Sequence, residues 1–225
     1  MKILAIDTAT EGCSVSLGIG DRSIDRYVEL ERGHAEQLLP MVDSVLAEGG
    51  IALNALDAIA FGRGPGGFTG VRLAASVAQG LAFGAQVGVV PISDLAAVAQ
   101  RVVQLDSSVK RVLVANDARM KEVYWATFEV DGVLTSGAEH VSAAAAVLLP
   151  PDTSGAWAAA GRGLLAWPAL AESCRVAGAR LHADLLPRAS EVLALARLAV
   201  AAGQILDPAD ALPVYVRDRV AQSAL

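Results

Sequence analysis

Cysteine is nearly absent from this sequence. The only two cysteines, Cys13 and Cys174, lie far apart and belong to no CxxC pair or Cys/His cluster. A disulfide framework or a zinc site needs cysteines at short, defined spacings, and neither is expected here. We therefore predict two buried thiols.

Long hydrophobic runs are also missing. The apolar stretch at the N-terminus is interrupted by Asp7, which makes it too short for the hydrophobic part of a signal peptide. Later apolar runs are broken by Arg, Gln, Asp or Gly before they reach the length of a membrane span. We expect no membrane segment and a cytoplasmic protein.

Basic residues are outnumbered, with 18 Lys and Arg against 24 Asp and Glu, a net charge of -6 and a pI near 5.0. Such a surface is poorly suited to holding a phosphate backbone, so a direct tRNA binder is disfavoured. The sequence is instead rich in apolar residues, at 54%, with a mean hydropathy of +0.46. A sizeable core is expected, in one large domain or two smaller lobes.

Hydrophobic patterning predicts a mixed sheet covered by helices. Strands are expected at residues 2–7, 14–18, 24–30, 56–61, 87–92, 111–115, 123–130 and 156–161. Helices are expected around residues 38–46 and at 69–83, 93–104, 142–149 and 189–202. Pro40 should bend or delay the first helix. A second cycle of strands begins after residue 106, which predicts lobes at 1–106 and 107–225, and the last segment of the second could pack back on the first.

The most informative segment is the glycine-rich stretch from Gly62 to Arg72. A strand that enters such a loop and then a helix exposes backbone N–H groups, and Thr69 is predicted as the N-cap. One interpretation is a phosphate cradle formed by Gly64, Gly66 and Gly67. The other is a tight turn whose glycines serve only packing.

Three motifs together are more specific than this loop: Ile6–Thr10 closing the first strand, Arg32–Pro40 opening the first helix, and Gly62–Arg72. With them the chain resembles the TsaB family, also called YeaZ. Asn116–Arg119, Glu122–Trp125 and Pro213–Arg217 extend the resemblance over nearly the whole length. It implies an α/β, actin-like and Hsp70-like (RNase H-like) ATPase fold of two related lobes.

The resemblance also implies a role in the bacterial complex that adds threonylcarbamoyl to the tRNA adenosine next to the anticodon. In that complex TsaD carries out the transfer, and the TsaB-type subunit is its non-catalytic dimerisation partner. The ATPase TsaE binds at the joint between the two. A homodimer is expected when the chain is alone, and tRNA contact only through the complex.

Departures from related enzymes argue against catalysis by this chain. TsaD holds its metal with a His-x-x-x-His pair, whereas here His34 is followed four residues on by Leu38, so no metal site is expected. A hydrogen bond at the helix start is the expected role of His34. No catalytic residue is predicted, and peptidase activity of the older glycoprotease type is not carried over.

Asp7 and Thr8 stand where actin-like ATPases orient magnesium and phosphate. No second glycine-rich phosphate loop is evident in the second lobe, so no cofactor is expected, and residual ATP or ADP with magnesium is the alternative. The rival hypothesis is a free-standing, magnesium-dependent ATPase or phosphotransferase that uses Asp7 and the loop from Gly64 to Gly67.

The first two helices are the expected contact with TsaD or with a second copy. Small residues recur every fourth position on the second helix, beside a row of larger ones, and one row must face the chain's own sheet. The expected interface residues are Leu38, Met41, Val42, Val45, Gly70, Ala74, Val77, Ala78 and Leu81. For Met41, Val45 and Val77 an interface and a plain core position remain equally supported.

Overall fold

The computed structural model describes residues 1–131, 133–150 and 156–217. The first half contains five strands and three helices. The strands are β1 (Lys2–Asp7), β2 (Gly12–Ile19), β3 (Arg22–Glu29), β4 (Ala58–Gly62) and β5 (Gly88–Ile92). The helices are α1 (His34–Gly49), α2 (Phe68–Ala85) and α3 (Asp94–Leu105).

The second half again combines strands and helices. Its strands are β6 (Arg111–Asp117), β7 (Glu122–Asp131), β8 (Val133–Ser136), β9 (His140–Ala143), β10 (Trp157–Ala160) and β11 (Arg180–His182). Its helices are α4 (Gly163–Ala166), α5 (Pro168–Val176) and α6 (Ala189–Ala201).

The two sheets have the same strand order. The first runs β3-β2-β1-β4-β5, and the second runs β8-β7-β6-β10-β11, with β9 added beside β7. In each sheet the first three strands are antiparallel neighbours, and the last two continue parallel to the central strand. We call the first sheet with α1 and α2 the first lobe, and the second sheet with α4 and α5 the second lobe. The predicted pair of related lobes is present.

Each lobe packs its own helices on its outer face. Helices α1 and α2 cover the first sheet through a core that includes Leu38, Val42 and Ala78. Helices α4 and α5 cover the second sheet through Leu164, Leu170 and Cys174. Cys13 and Cys174 are both buried and unbridged, as predicted.

The helices between the sheets are exchanged. Helix α3 follows β5 of the first sheet, but its apolar face, with Leu95 and Val98, packs on the second sheet. Helix α6 follows the second sheet, and Val192 and Leu193 pack on the first sheet, together with Ile3 and Val90. The two helices also contact each other, so each lobe helps to build the core of the other.

Some local predictions were wrong. Residues 142–149 do not form a helix: β9 ends at Ala143, and a 3₁₀ turn follows at Ala144–Ala146. The sequence there is mostly alanine, valine and leucine, and the edge of β7 supplies backbone partners that a local pattern cannot reveal. Pro40 does not delay α1, which begins at His34 and includes it. The sequence Pro150-Pro151-Asp152 predicts a loop after this segment, and of these residues Pro151 and Asp152 lie outside the described residues.

Among the described helices, none is both long and apolar enough to cross a membrane.

Candidate functional site

A cleft of about 1040 Å³ separates the two lobes. It is lined by the segments that follow β1 and β6 and by the glycine loop, and includes Thr8, Thr10, Asn116 and Arg162. In both sheets the carboxyl end of the central strand therefore points to the same opening, which is where α/β folds place ligands. This cleft is the natural place to test the nucleotide hypothesis.

The glycine loop packs tightly against the residues after β1. The N–H of Gly67 donates to the carbonyl of Ala9 at 2.7 Å, and the N–H of Gly64 donates to the Asp94 carboxyl. A Cβ on Gly66 would lie 2.4 Å from the Ala9 carbonyl oxygen. Because these amide groups already have partners inside the protein, they do not form an open phosphate cradle. The geometry favours the packing interpretation of this loop.

The start of α2 also differs from its prediction. Its N-cap is Gly67, with no side-chain cap, and Thr69 is the second residue of the helix. Another threonine makes the stabilising contact: the hydroxyl of Thr8 donates to the carbonyl of Gly70 at 2.7 Å. A Cβ on Gly70 would lie 2.0 Å from the Thr8 carbonyl oxygen, so Gly70 allows α2 to approach β1 closely.

Asp7 is fully buried and turns away from the cleft. One of its oxygens accepts the N–H of Ala9 at 2.8 Å, and Asp94, which is also fully buried, lies beside it. The second oxygen of Asp7 and one oxygen of Asp94 have no hydrogen-bond partner among the described residues. Burial raises the pKa of Asp94 well above its ordinary value, and the charge of Asp7 raises it further. The raised pKa favours a protonated Asp94 beside Asp7. Asp7, buried and outside the lining of the cleft, is poorly placed to orient hydrated magnesium.

The rim of the cleft carries compensated charges. Arg119 pairs with Glu11 of the first lobe at 2.9 Å and with Asp117 at 3.0 Å. The Nε2 of His34 lies 3.0 Å from the carbonyl oxygen of Thr10, which fits a hydrogen-bonding role at the start of α1. Among the described residues, no group of three His, Cys, Asp or Glu side chains is arranged to hold a metal ion.

The C-terminal segment crosses the mouth of the cleft. The N–H of Val214 donates to the carbonyl of Arg63 in the first lobe at 2.8 Å. Arg217 then reaches the second lobe, where it bonds Glu122 at 2.6 Å and the carbonyl of Ala118 at 3.1 Å. This position, which sequence patterning could not provide, explains the polar and aromatic residues of the tail.

The expected interface residues fall into two groups. Five have at most 2% exposure and lie in the core of the first lobe: Leu38, Val42, Val45, Ala74 and Ala78. The small-residue row of α2 thus faces the chain's own sheet. Met41, Gly70, Val77 and Leu81 are partly exposed. Val45 is therefore a core position, and Met41 and Val77 are accessible at the edge of the core.

Sequence reasoning missed a repeated tripeptide. Gly62-Arg63-Gly64 begins at the last residue of β4, and Gly161-Arg162-Gly163 directly follows β10, the equivalent strand of the second sheet. Arg63 pairs with Glu139 of the second lobe, and Arg162 pairs with Glu29 of the first. The repeated letters were the available signal, but their partners are distant in sequence and could not be predicted.

Comparisons with known proteins agree with the fold. Residues 28–219 match the family model described as TsaD, tRNA N6-adenosine threonylcarbamoyltransferase. The chain is 41% identical over 233 aligned residues to the tRNA threonylcarbamoyladenosine biosynthesis protein TsaB of Escherichia coli (strain K12), covering 100% of this chain and 98% of that protein.

Two solved structures from Pseudomonas aeruginosa are similar throughout. One, described as an uncharacterized protein with similarity to peptidase YEAZ, is 44% identical with a TM-score of 0.86, covering 96% of this chain and 99% of that one. The other, described as YeaZ, is 44% identical with a TM-score of 0.85, covering 95% and 99%. This likeness confirms the predicted actin-like architecture of two related lobes.

Proposed function

Because the chain belongs to the TsaB (YeaZ) family of tRNA threonylcarbamoyladenosine biosynthesis proteins, we propose that it is a non-catalytic subunit that binds and activates TsaD. The proposed contact is the outer surface of α1 and α2. TsaE would bind where this chain and TsaD meet, and tRNA would be bound only by the assembled complex. The negative net charge of the free chain supports this division of labour.

One observation carries the proposal: α2 has glycines on its outer surface that its own packing does not require. A Cβ added to Gly80 or to Gly84 would meet no atom of the described residues within 4 Å. A glycine inside a helix costs roughly 1 kcal/mol relative to alanine. Packing within the chain does not explain these glycines. Close approach of a helix from another subunit would explain them.

Apolar side chains flank these glycines. Leu73, Val77 and Leu81 recur at helical spacing, pack partly on the core and remain partly exposed. On α1, Leu39 is 48% exposed. A smooth, glycine-containing ridge bordered by apolar side chains is suited to pairing with two helices of a homologous subunit. In the absence of TsaD, a second copy of this chain would occupy the same face.

The rival hypothesis, a free-standing ATPase or phosphotransferase, has less support. It needs Asp7 to face a bound magnesium ion and the loop amides to face phosphate. Asp7 is instead fully buried beside Asp94, and the amides of Gly64 and Gly67 already donate to Asp94 and Ala9. Titration of the isolated chain with ATP and magnesium tests it, because the rival requires saturable binding.

The test of the proposal is threonylcarbamoyl transfer to tRNA by TsaD of the same organism, supplied with TsaE, ATP and the threonylcarbamoyl-adenylate donor. Added chain should produce activity that saturates near equal stoichiometry. Val77→Glu should abolish this effect, since a charge would be desolvated in the contact. Val176→Glu, at a position 74% exposed on the second lobe, is the matched control and should remain active. If the rate of threonylcarbamoyl transfer were the same with and without the chain, the proposal would be refuted.

A further inference from the structure

The two Gly-Arg-Gly segments place an arginine at the same point of each lobe. Arg63 follows β4 and Arg162 follows β10, strands that occupy the same place in the common sheet order. In both segments the first glycine is required by packing. A Cβ on Gly62 would lie 2.5 Å from an Asp94 oxygen, and a Cβ on Gly161 would lie 2.5 Å from the Ala115 carbonyl oxygen.

Arg63 reaches into the second lobe with both terminal nitrogens. They donate to the two carboxylate oxygens of Glu139 at 3.1 Å each, in the paired geometry that is strongest for arginine and carboxylate. The two side chains are 23% and 12% exposed. The Ser93 hydroxyl also donates to Glu139. This ion pair is sheltered from water and is therefore weakly screened by salt.

Arg162 makes the opposite crossing. Its guanidinium donates to Glu29 of the first lobe at 2.6 Å, and the Tyr27 hydroxyl donates to the same carboxylate at 2.7 Å. The hydrogen bond from Arg162 is the main cause of the lowered pKa of Glu29. Arg162 borders the cleft, whereas Arg63 and Glu139 lie outside its lining. The two pairs therefore hold the lobes at separate points.

The glutamates lie at the same edge of the two sheets. Glu29 ends β3, and Glu139 lies between β8 and β9, the strands that flank β7 at the corresponding edge of the second sheet. We propose that these two reciprocal Arg–Glu pairs fix the angle between the lobes and hold the cleft at one opening. One pair alone would act as a pivot, while two at separate points oppose rotation. The fixed angle extends to α2, because Arg63 directly precedes the loop that leads into it.

A further inter-lobe ion pair at the cleft, Arg119 with Glu11, contributes less to this restraint. The Arg119 side chain is 74% exposed and also pairs with Asp117 of its own lobe. Exposed pairs of this kind are worth little, because solvent screens them and the side chain loses conformational freedom. The C-terminal segment also bridges the lobes, and it stays intact in the experiment below.

The test measures the opening of the cleft directly. Ala35→Cys on α1 and Leu165→Cys on α4 place a spin label on each side, since both residues are exposed and line the cleft. The native thiols are buried and will not compete. The labelled chain is diluted into excess unlabelled chain, so that distances within one molecule dominate. The otherwise unchanged protein should give one narrow distance distribution.

The decisive variant combines Glu29→Gln with Glu139→Gln. It should broaden the distribution and add a population at a shifted distance, and each single change should have a smaller effect. The matched control, Glu48→Gln with Glu172→Gln, removes the carboxylates paired with Arg26 and Arg175 inside single lobes and should change nothing.

An unchanged distribution in the folded double variant would overturn the proposal, as would equal broadening in the control. If the double variant does not fold, the more exposed pair is tested alone. Arg162→Glu should broaden the distribution, and Arg162→Glu combined with Glu29→Arg should narrow it again. Failure of this restoration would also count against the proposal. None of these outcomes depends on whether the chain binds TsaD.

Discussion

Asp94 and Asp7 are neighbouring, fully buried carboxyl groups, and each has one oxygen, Oδ1 of Asp94 and Oδ2 of Asp7, without a hydrogen-bond partner among the described residues. Burial and the charge of Asp7 raise the pKa of Asp94 well above its ordinary value, so a single proton shared between these two oxygens would satisfy both. The other oxygen of Asp94 accepts the N–H of Gly64, and the other oxygen of Asp7 accepts the N–H of Ala9. The pair therefore ties β1, the glycine loop and the start of α3 together without reaching the cleft.

This pair predicts a pH dependence of stability. The pKa of Asp94 in the folded protein lies above its ordinary value of 3.8. The contribution of Asp94 to the free energy of unfolding is therefore fully present below pH 3.8 and is lost as the pH rises towards the folded-state pKa. Asp94→Asn keeps a donor for Asp7 and an acceptor for Gly64 but removes the proton. Urea unfolding between about pH 4 and pH 8 should show the variant gaining stability relative to wild type as the pH rises. If the free energy of unfolding changed with pH in the same way for both proteins, the shared proton would be contradicted.

The glycine loop predicts different results at adjacent positions. Gly66→Ala should destabilise the protein by roughly 1–3 kcal/mol, because the new Cβ would lie 2.4 Å from the backbone oxygen of Ala9. Gly67→Ala is the matched control, since its Cβ would lie 3.5 Å from the same oxygen, an ordinary contact. Thermal and urea unfolding measure both. Equal stability of the two variants would refute the packing interpretation.

The outer glycines of α2 predict a gain of stability together with a loss of pairing. Gly80→Leu should stabilise the free chain by up to roughly 1 kcal/mol, because leucine favours a helix and open space surrounds the site. It should also prevent assembly with TsaD, as measured by analytical ultracentrifugation. Ala169→Leu, on the exposed surface of α5, is the control that should leave pairing intact. Normal pairing by a stabilised Gly80→Leu variant would remove the main support for the proposed interface.

The thiols should be inert in the folded protein. Burial raises the pKa of Cys13 to about 11 and that of Cys174 to about 11, so little thiolate exists near neutral pH. A thiol reagent at pH 8 should label neither residue in the native chain and both in urea. Rapid native labelling of one of them would show local opening of the core around it.

Much of the first half of the chain could be predicted because its elements have clear periods and turn signals. The strand ending at Asp7, the helix capped by Ser93 and the glycine loop all lie close to their predicted positions. The residues 142–149 could not be predicted, since an alanine-rich segment does not distinguish a helix from an edge strand. There, His140 stacks on Trp125 at 4.5 Å between ring centroids, a contact that no local pattern encodes.

The candidate site was predictable only in part. Patterning identified the apolar positions of α1 and α2, but it could not separate Val45, which is fully buried, from Leu39, which is 48% exposed. Whether each of these residues is buried or exposed depends on how α1 is oriented on the sheet. The Asp94 partner of Asp7 and the glutamate partners of Arg63 and Arg162 are long-range contacts, and a sequence read alone gives no distance between them.

The exchange of α3 and α6 and the reciprocal Arg–Glu pairs have a common geometric property. The packing of α3 on the second sheet is matched by that of α6 on the first, and the pair of Arg63 with Glu139 is matched by that of Arg162 with Glu29. This is the pattern of an isologous dimer interface, here enclosed in one polypeptide. The surfaces that are related by this symmetry are buried between the lobes. The outer surfaces of the lobes differ: helices of 16 and 18 residues cover the first lobe, and helices of 4 and 9 residues cover the second. A partner protein can therefore distinguish the two lobes by their outer helices, although the packing between the lobes has approximate twofold symmetry.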